Sequence, residues 1–156
     1  MSTNPTETRE LNWHDGLVLG FAPMDAVHEE FVTLIGAVRH APDAGVAAAL
    51  DCLADHTRDH FKAEDDWMVE SGFPGQACHS AEHAAVLQSI EGVRRRVAGG
   101  EFAAARRLAD ELCAWFPAHA DYLDSALAHW MVKRRFGGKP IVLRRQLAPQ
   151  ASEMRA

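Results

Sequence analysis

The sequence predicts an all-α protein: an antiparallel up-down four-helix bundle with an N-terminal arm and a short C-terminal helical tail extension. Three observations carry that expectation. Apolar residues recur at spacings of three and four over four long stretches. Short Gly- and Pro-containing breaks separate those stretches, and nothing reads as a strand. A chain of 156 residues with 47% hydrophobic and 24% charged residues has the composition of one globular core. The expected organisation is an arm over 1–23, a bundle over 24–131 and a basic tail over 132–156.

The arm contains Gly16, Gly20 and Pro23, with Trp13 expected to pack on the body. Residues 24–40 form the first helix, with Val27, Phe31, Leu34, Ile35 and Val38 on one side. "APDAG" breaks it, and Asp43 is a reasonable N-cap for a second helix over 44–70. "SGFPG" stops that helix. A third runs over 76–98 with Val86, Leu87, Ile90 and Val93 inward, and "AGG" ends it. The fourth starts near Glu101 and passes through Phe102, Leu108 and Leu112 to Trp115. Pro117 is expected to end or kink it, because proline lacks the amide donor and clashes with the preceding turn. A further helical piece follows over 118–132.

No apolar run reaches the ~18 residues of a membrane span. The polar start "MSTNPTETRELNWHDG" carries no apolar signal region, so the expectation is a cytoplasmic protein. Cys52, Cys78 and Cys113 form no CxxC pair and read as buried small hydrophobes. The net charge of −6 is unevenly spread: the tail holds seven of the 16 basic residues and one of the 22 acidic ones, leaving an acidic body. That body argues against nucleic acid as a partner. The tail is read as a solubilising end, with an acidic docking partner as the alternative. No helix face demands an oligomer.

The histidines carry the chemistry. In "HTRDHFKAEDDWM", His56, His60 and Glu64 recur one helical turn apart. His28 lies on the first helix, His79 and His83 are spaced i, i+4 on the third, and His119 precedes Asp124 by five residues. Several fall on the apolar stripes and should point inward. Five buried imidazoles and two buried carboxylates would each cost several kcal/mol in desolvation if left unpaired. A metal centre resolves that cost for the whole set. Seven ligands exceed the four of one zinc, and two metals bridged by two carboxylates would use them all. Imidazole with carboxylate suits iron among the first-row metals, and thiolates are absent from the set. HExxH does not occur, and no Glu-x-x-His of the ferritin-like di-iron type is present, the nearest being Asp25-x-x-His28.

"MDAVHEEF", "HFKAEDDWM", "HSAEH" and "WFPAHADYLD" resemble, in order and spacing, the four signature segments of the hemerythrin family. "LNWHDGLVLG" resembles the arm of its bacterial members, and the resemblance covers about residues 11–130. The resemblance implies two iron ions with a bridging oxo or hydroxo group. His79, His83 and His119 would bind one iron, His28 and His60 the other, with Glu64 and Asp124 bridging. The two-histidine iron would keep an open position for O2. The implied function is reversible O2 carriage, storage or delivery without turnover. Two alternatives are an enzyme that reduces peroxide or nitric oxide at the same irons, and an O2 or redox sensor acting through the tail.

The chain departs from the family in places. Ala120 stands where a large aliphatic residue is usual after the fourth-segment histidine, and Phe116 where leucine is common. The O2 pocket is therefore expected to be re-shaped, with Trp115 as core beside it. His56 replaces a frequent tyrosine and is a candidate to donate its ring proton to a carboxylate, against a plain packing role. Tyr122 is read as packing near the site, Asp65 as support for the ligands and Asp66 as solvated. Arg94, Arg95 and Arg96 are taken to need no partner at a helix C-terminus.

Overall fold

The computed structural model describes residues 10–135. Among them the chain forms helices only: α1 (Ala22–His40), α2 (Asp43–Ser71), α3 (Gln76–Ala98), α4 (Phe102–His119) and α5 (Ser125–Arg135). A one-turn 3-10 segment at Asp15–Leu17 precedes them, and a π-helical segment, Ala120–Asp124, joins α4 to α5. α1 packs on α2 and α4, and α3 packs on the same two, which closes a four-membered bundle. None of these helices is long and apolar enough to cross a membrane.

The short connections have local causes. Gly72 takes φ +66° after α2, and the Phe73 amide donates to the Met68 carbonyl at 2.9 Å. This is the left-handed C-terminal cap that glycine adopts without steric cost. α1 starts at Ala22, with Pro23 at its first turn, where the missing amide costs nothing. The Asp25 carboxylate accepts from the Leu19 and Gly20 amides at 2.7 and 3.0 Å, so it pins the arm to α1. Trp13 and Leu11 pack against the core as half-buried side chains.

Three expectations need correction. Asp43 is the first residue of α2 rather than its cap; Pro42 holds the cap position, and Asp43 accepts from Arg106 at 2.6 Å. Pro117 does not end the fourth helix, which runs on through His119. The disturbance falls just beyond it, in the π segment, where the Ser125 amide donates to the Ala120 carbonyl five residues back. Of the cysteines only Cys113 is buried; Cys52 and Cys78 are exposed, and all three are free. The tail beyond Arg135, and with it the proposed docking of the tail, lies outside the described residues.

The core is split. One apolar cluster runs from Phe31, Ile35 and Val38 through Leu50, Leu53 and Ile90 to Leu112 and Phe116. A smaller one gathers Phe21, Met24, Met68, Leu127, Ala128 and Val132. Between them along the helices lie His28 (after Met24, before Phe31), Glu64 (before Met68) and Asp124 (before Leu127). A layer of buried polar groups therefore interrupts an otherwise apolar interior.

Candidate metal centre

All seven side chains singled out from their spacing converge in that layer: His28, His60, Glu64, His79, His83, His119 and Asp124 are each no more than 4% exposed. They come from every helix of the bundle. His60 and Glu64 share a face of α2, and His79 and His83 a face of α3, as i, i+4 spacing requires. The five-residue spacing of His119 and Asp124 does not fit an α-helix, where it turns about 140° off the face. The π segment absorbs the extra residue, and His119 Nε2 comes within 3.1 Å of Asp124 Oδ1.

The two carboxylates lie across the middle, one oxygen to each side. Glu64 Oε1 is 3.2 Å from His28 Nε2 and 3.0 Å from His60 Nε2. Its Oε2 is 3.1 Å from His83 Nε2 and 3.5 Å from His79 Nε2. Asp124 Oδ2 is 3.1 Å from His28 Nε2, while its Oδ1 is 2.9 Å from His79 Nε2. Two clusters with metal-ligand spacing result: Glu64, His79, His83, His119 and Asp124 in one, and His28, His60 and Glu64 in the other.

Hydrogen bonds satisfy only part of this set, the pairs of Glu64 Oε1 with His28 Nε2 and His60 Nε2. His79 Nε2, His83 Nε2, His119 Nε2, Glu64 Oε2 and both Asp124 oxygens are buried without a hydrogen-bond partner. Unpaired polar atoms buried in such a number are costly unless an ion joins them. The donor set therefore fits metal cations, with imidazole nitrogen and carboxylate oxygen as the atoms offered.

Electrostatics agree. Burial alone would lower the His28 and His79 imidazoles, but the Asp124 and Glu64 carboxylates beside them outweigh it and raise both to about 9. Burial lowers His60 further than Glu64 can raise it. Burial also raises His119's cost of charge, yet Asp124 and Glu82 hold its imidazole above the usual value. Burial should push the Glu64 and Asp124 carboxyls up, but the surrounding imidazoles hold them below the usual range. In the protein without metal, protons take the place that cations would fill.

The far sides of the rings differ. His83 Nδ1 is 3.1 Å from Asp65 Oδ1, which also accepts from Ser80 at 2.8 Å. His119 Nδ1 is 2.9 Å from Glu82 Oε1, which also accepts from Trp115 Nε1 at 2.9 Å. A carboxylate only accepts, so each Nδ1 carries the proton and each Nε2 offers its lone pair inward. The His83 ring stacks on Phe61 at 3.9 Å, and Trp115 stacks on His119 at 4.3 Å. Asp65 thus stands behind the His83 ring, where it would support that side chain as a ligand. Glu82 was not anticipated; its one signal was its place inside "HSAEH", between two inward histidines.

The His28, His60 and His79 Nδ1 atoms have no such partner. Aromatic rings meet the first two instead: Phe116 meets His28 edge-on at 5.1 Å, and Phe31 meets His60 at 5.2 Å. Phe116 and Ala120, the two departures from the family pattern, are both buried and both belong to the larger apolar cluster. His56 does not donate to either central carboxylate. Its ring stacks on Phe31 at 5.8 Å, and its Nδ1 lies 3.7 Å from Glu30. Tyr122 does not pack at the site; it is 79% exposed. Asp66 is exposed and pairs with Lys62. Arg94 is not partnerless, since it bonds Asp51 and Glu91 at 3.0 Å. His14, His40 and His129 are exposed, the first capping the Gly16 amide and the second pairing with Glu10.

A helix bundle whose buried centre is built from five imidazoles and two shared carboxylates is a metal-binding protein by its chemistry. The hemerythrin HHE cation binding domain matches residues 19–130, and the chain belongs to the hemerythrin family. It is 42% identical to a bacteriohemerythrin of Ralstonia nicotianae over 80% of this chain and 90% of that protein. It is 28% identical to bacteriohemerythrins of Stenotrophomonas maltophilia and Pseudomonas aeruginosa, over 58% of this chain and 62% of each of those. No solved structure gives a significant match.

Proposed function

We propose that the chain holds two irons and binds O2 reversibly at them, as a carrier, store or donor of O2 without catalytic turnover. The observation that carries this reading is the split of each carboxylate, one oxygen toward His28 and the other toward the His79 side. Such a split suits two cations bridged by Glu64 and Asp124. His79, His83 and His119 would hold one iron, and His28 and His60 the other, with an oxo or hydroxo group completing the bridge. The pair, when bound, would supply reversible electron donation to O2.

The protein's own residues set the conditions. Asp65 and Glu82 fix the rings of His83 and His119 so that their lone pairs stay inward. Phe31 and Phe116 set apolar ring faces and edges against the two imidazoles of the two-histidine side. His56 stacks on Phe31 with its Nδ1 toward Glu30, and Tyr122 faces solvent, so neither is bonded to the central carboxylates. A cytoplasmic location fits an O2 carrier of this kind and is part of the proposal.

The test is the visible spectrum of iron-loaded, reduced protein before O2, with O2, and after O2 is removed. A charge-transfer band that comes and goes with O2 is expected. Irreversible passage to a stable oxidised spectrum would refute reversible binding and favour an oxidase or redox sensor.

A further inference from the structure

A groove of about 560 Å³ opens between α1 and α2 on the side of His28 and His60. Its floor reaches His60, and its walls carry Glu30 and Val27 from α1 with Cys52, Asp55, His56 and Asp59 from α2. The α2 residues follow i, i+3, i+4 spacing, so they make one stripe that leads toward the buried ligand. We propose that this groove is an uptake site for divalent first-row cations, which captures the ion at the surface and passes it through His56 to His60. The inference rests on the two-ion reading only for the ion's destination.

Four observations support it. Exposure falls in steps along the stripe: the Glu30 side chain is 66% exposed, His56 9% and His60 2%. His56 Nε2 is buried and has no hydrogen-bond partner, so a nitrogen donor stands idle midway. Its ring lies 5.5 Å from the ring of His60, close enough for an ion to move from one to the other. The rim is acidic: Arg58 pairs with Asp55 at 3.3 Å, but among the described residues no Lys or Arg pairs with Glu30 or Asp59. Two uncompensated carboxylates at the mouth of a low-dielectric cleft attract cations and repel anions. A neutral diatomic gas gains nothing from them. The ligand types also grade sensibly, from oxygen donors that bind a hydrated ion loosely to imidazole that binds first-row metals more firmly.

The experiment follows Co2+ incorporation into metal-free protein by stopped-flow absorption at low ionic strength. Glu30→Gln/Asp59→Asn should load roughly tenfold more slowly, reach the same final content, and lose most of that difference in high salt. Glu101→Gln/Glu111→Gln removes the same charge elsewhere and should load within about twofold of the parent. His56→Phe should also slow loading, with its difference from the parent persisting in salt. Parent-like loading by Glu30→Gln/Asp59→Asn, or equal slowing by the control pair, would overturn the proposal. Should the parent take up no Co2+ in its interior, the two-ion reading fails, and the groove is judged by Mn2+ broadening of the amide signals of Glu30, Asp55, His56 and Asp59. Broadening that disappears in Glu30→Gln/Asp59→Asn sustains the groove; no broadening, or broadening that persists there, rejects it.

Discussion

The two halves of the centre are built differently. On one side, two of the three rings, His83 and His119, are each held by a carboxylate behind the ring, Asp65 and Glu82, and each stacks on an aromatic one, while the His79 Nδ1 has no hydrogen-bond partner. On the other, His28 and His60 have no partner behind the ring and are held edge-on by Phe116 and Phe31. Hydrogen bonding to the far nitrogen fixes orientation and makes the near nitrogen more basic. On the proposed reading, the first half would hold its ion the more firmly. The second has one histidine fewer and gives on to a surface groove, which would suit an ion that accepts a guest.

The largest test of that contrast removes what the halves share. Glu64→Ala should bring bound iron from two per chain to below one, because it withdraws an oxygen from each side. Iron content that stays at two would break the bridging reading. Next, Asp65→Asn and Glu82→Gln should each weaken the affinity for one ion by about 10- to 100-fold and spare the other, measured by competition with a chelator. Equal weakening of both ions would erase the proposed asymmetry.

A smaller effect concerns the apolar wall. Ala120→Ile should fill space beside Phe116 and slow autoxidation of the O2 form about threefold to tenfold, or about 0.7–1.4 kcal/mol in barrier. A half-life no longer than the parent's would mean that Ala120 does not open the pocket.

The smallest effect is a pH dependence of the metal-free protein. His28 and His79 are raised to about 9, so their contribution to stability is full below the unfolded value near 6.5 and is lost as pH rises through about 9. Glu64 and Asp124 are depressed, so theirs is present above the usual carboxylate range and is lost as pH falls through the lowered values. Calorimetry should show the metal-free Tm falling by at least about 4 °C from pH 6.5 to 9.5. Loading near pH 7 should release protons, detectable with an indicator dye, and a loaded protein with the same alkaline slope would contradict the proton-for-metal exchange.

Much of this was legible from residue order. The i, i+4 spacing of His60 with Glu64 and of His79 with His83 places ligands on one face of a helix whatever surrounds it, and the apolar stripes beside them set that face inward. The surface was harder to read. By its place at a helix end Arg94 reads as self-sufficient; Asp51 lies 43 positions away in the chain, and only the contact of α2 with α3 brings them together. Cys52 and Cys78 looked like small core residues by type, but type does not say which side of a helix faces a neighbour.

Sequence by itself determined the four long helices, the breaks between them and the inward faces of His28, His60, Glu64, His79 and His83, since periodicity and glycine or proline breaks act within a few residues. Tertiary structure decided the rest. Pro117 looks like a helix end and His119 with Asp124 like residues on different faces, yet the chain runs on and a π segment aligns them. Glu82 is one acid among 22 until α3 lies against α4 and puts its carboxylate behind His119. Local rules choose which residues point inward; only the assembled bundle chooses which atoms meet, because hydrogen bonds at about 3 Å depend on distances that no single helix sets.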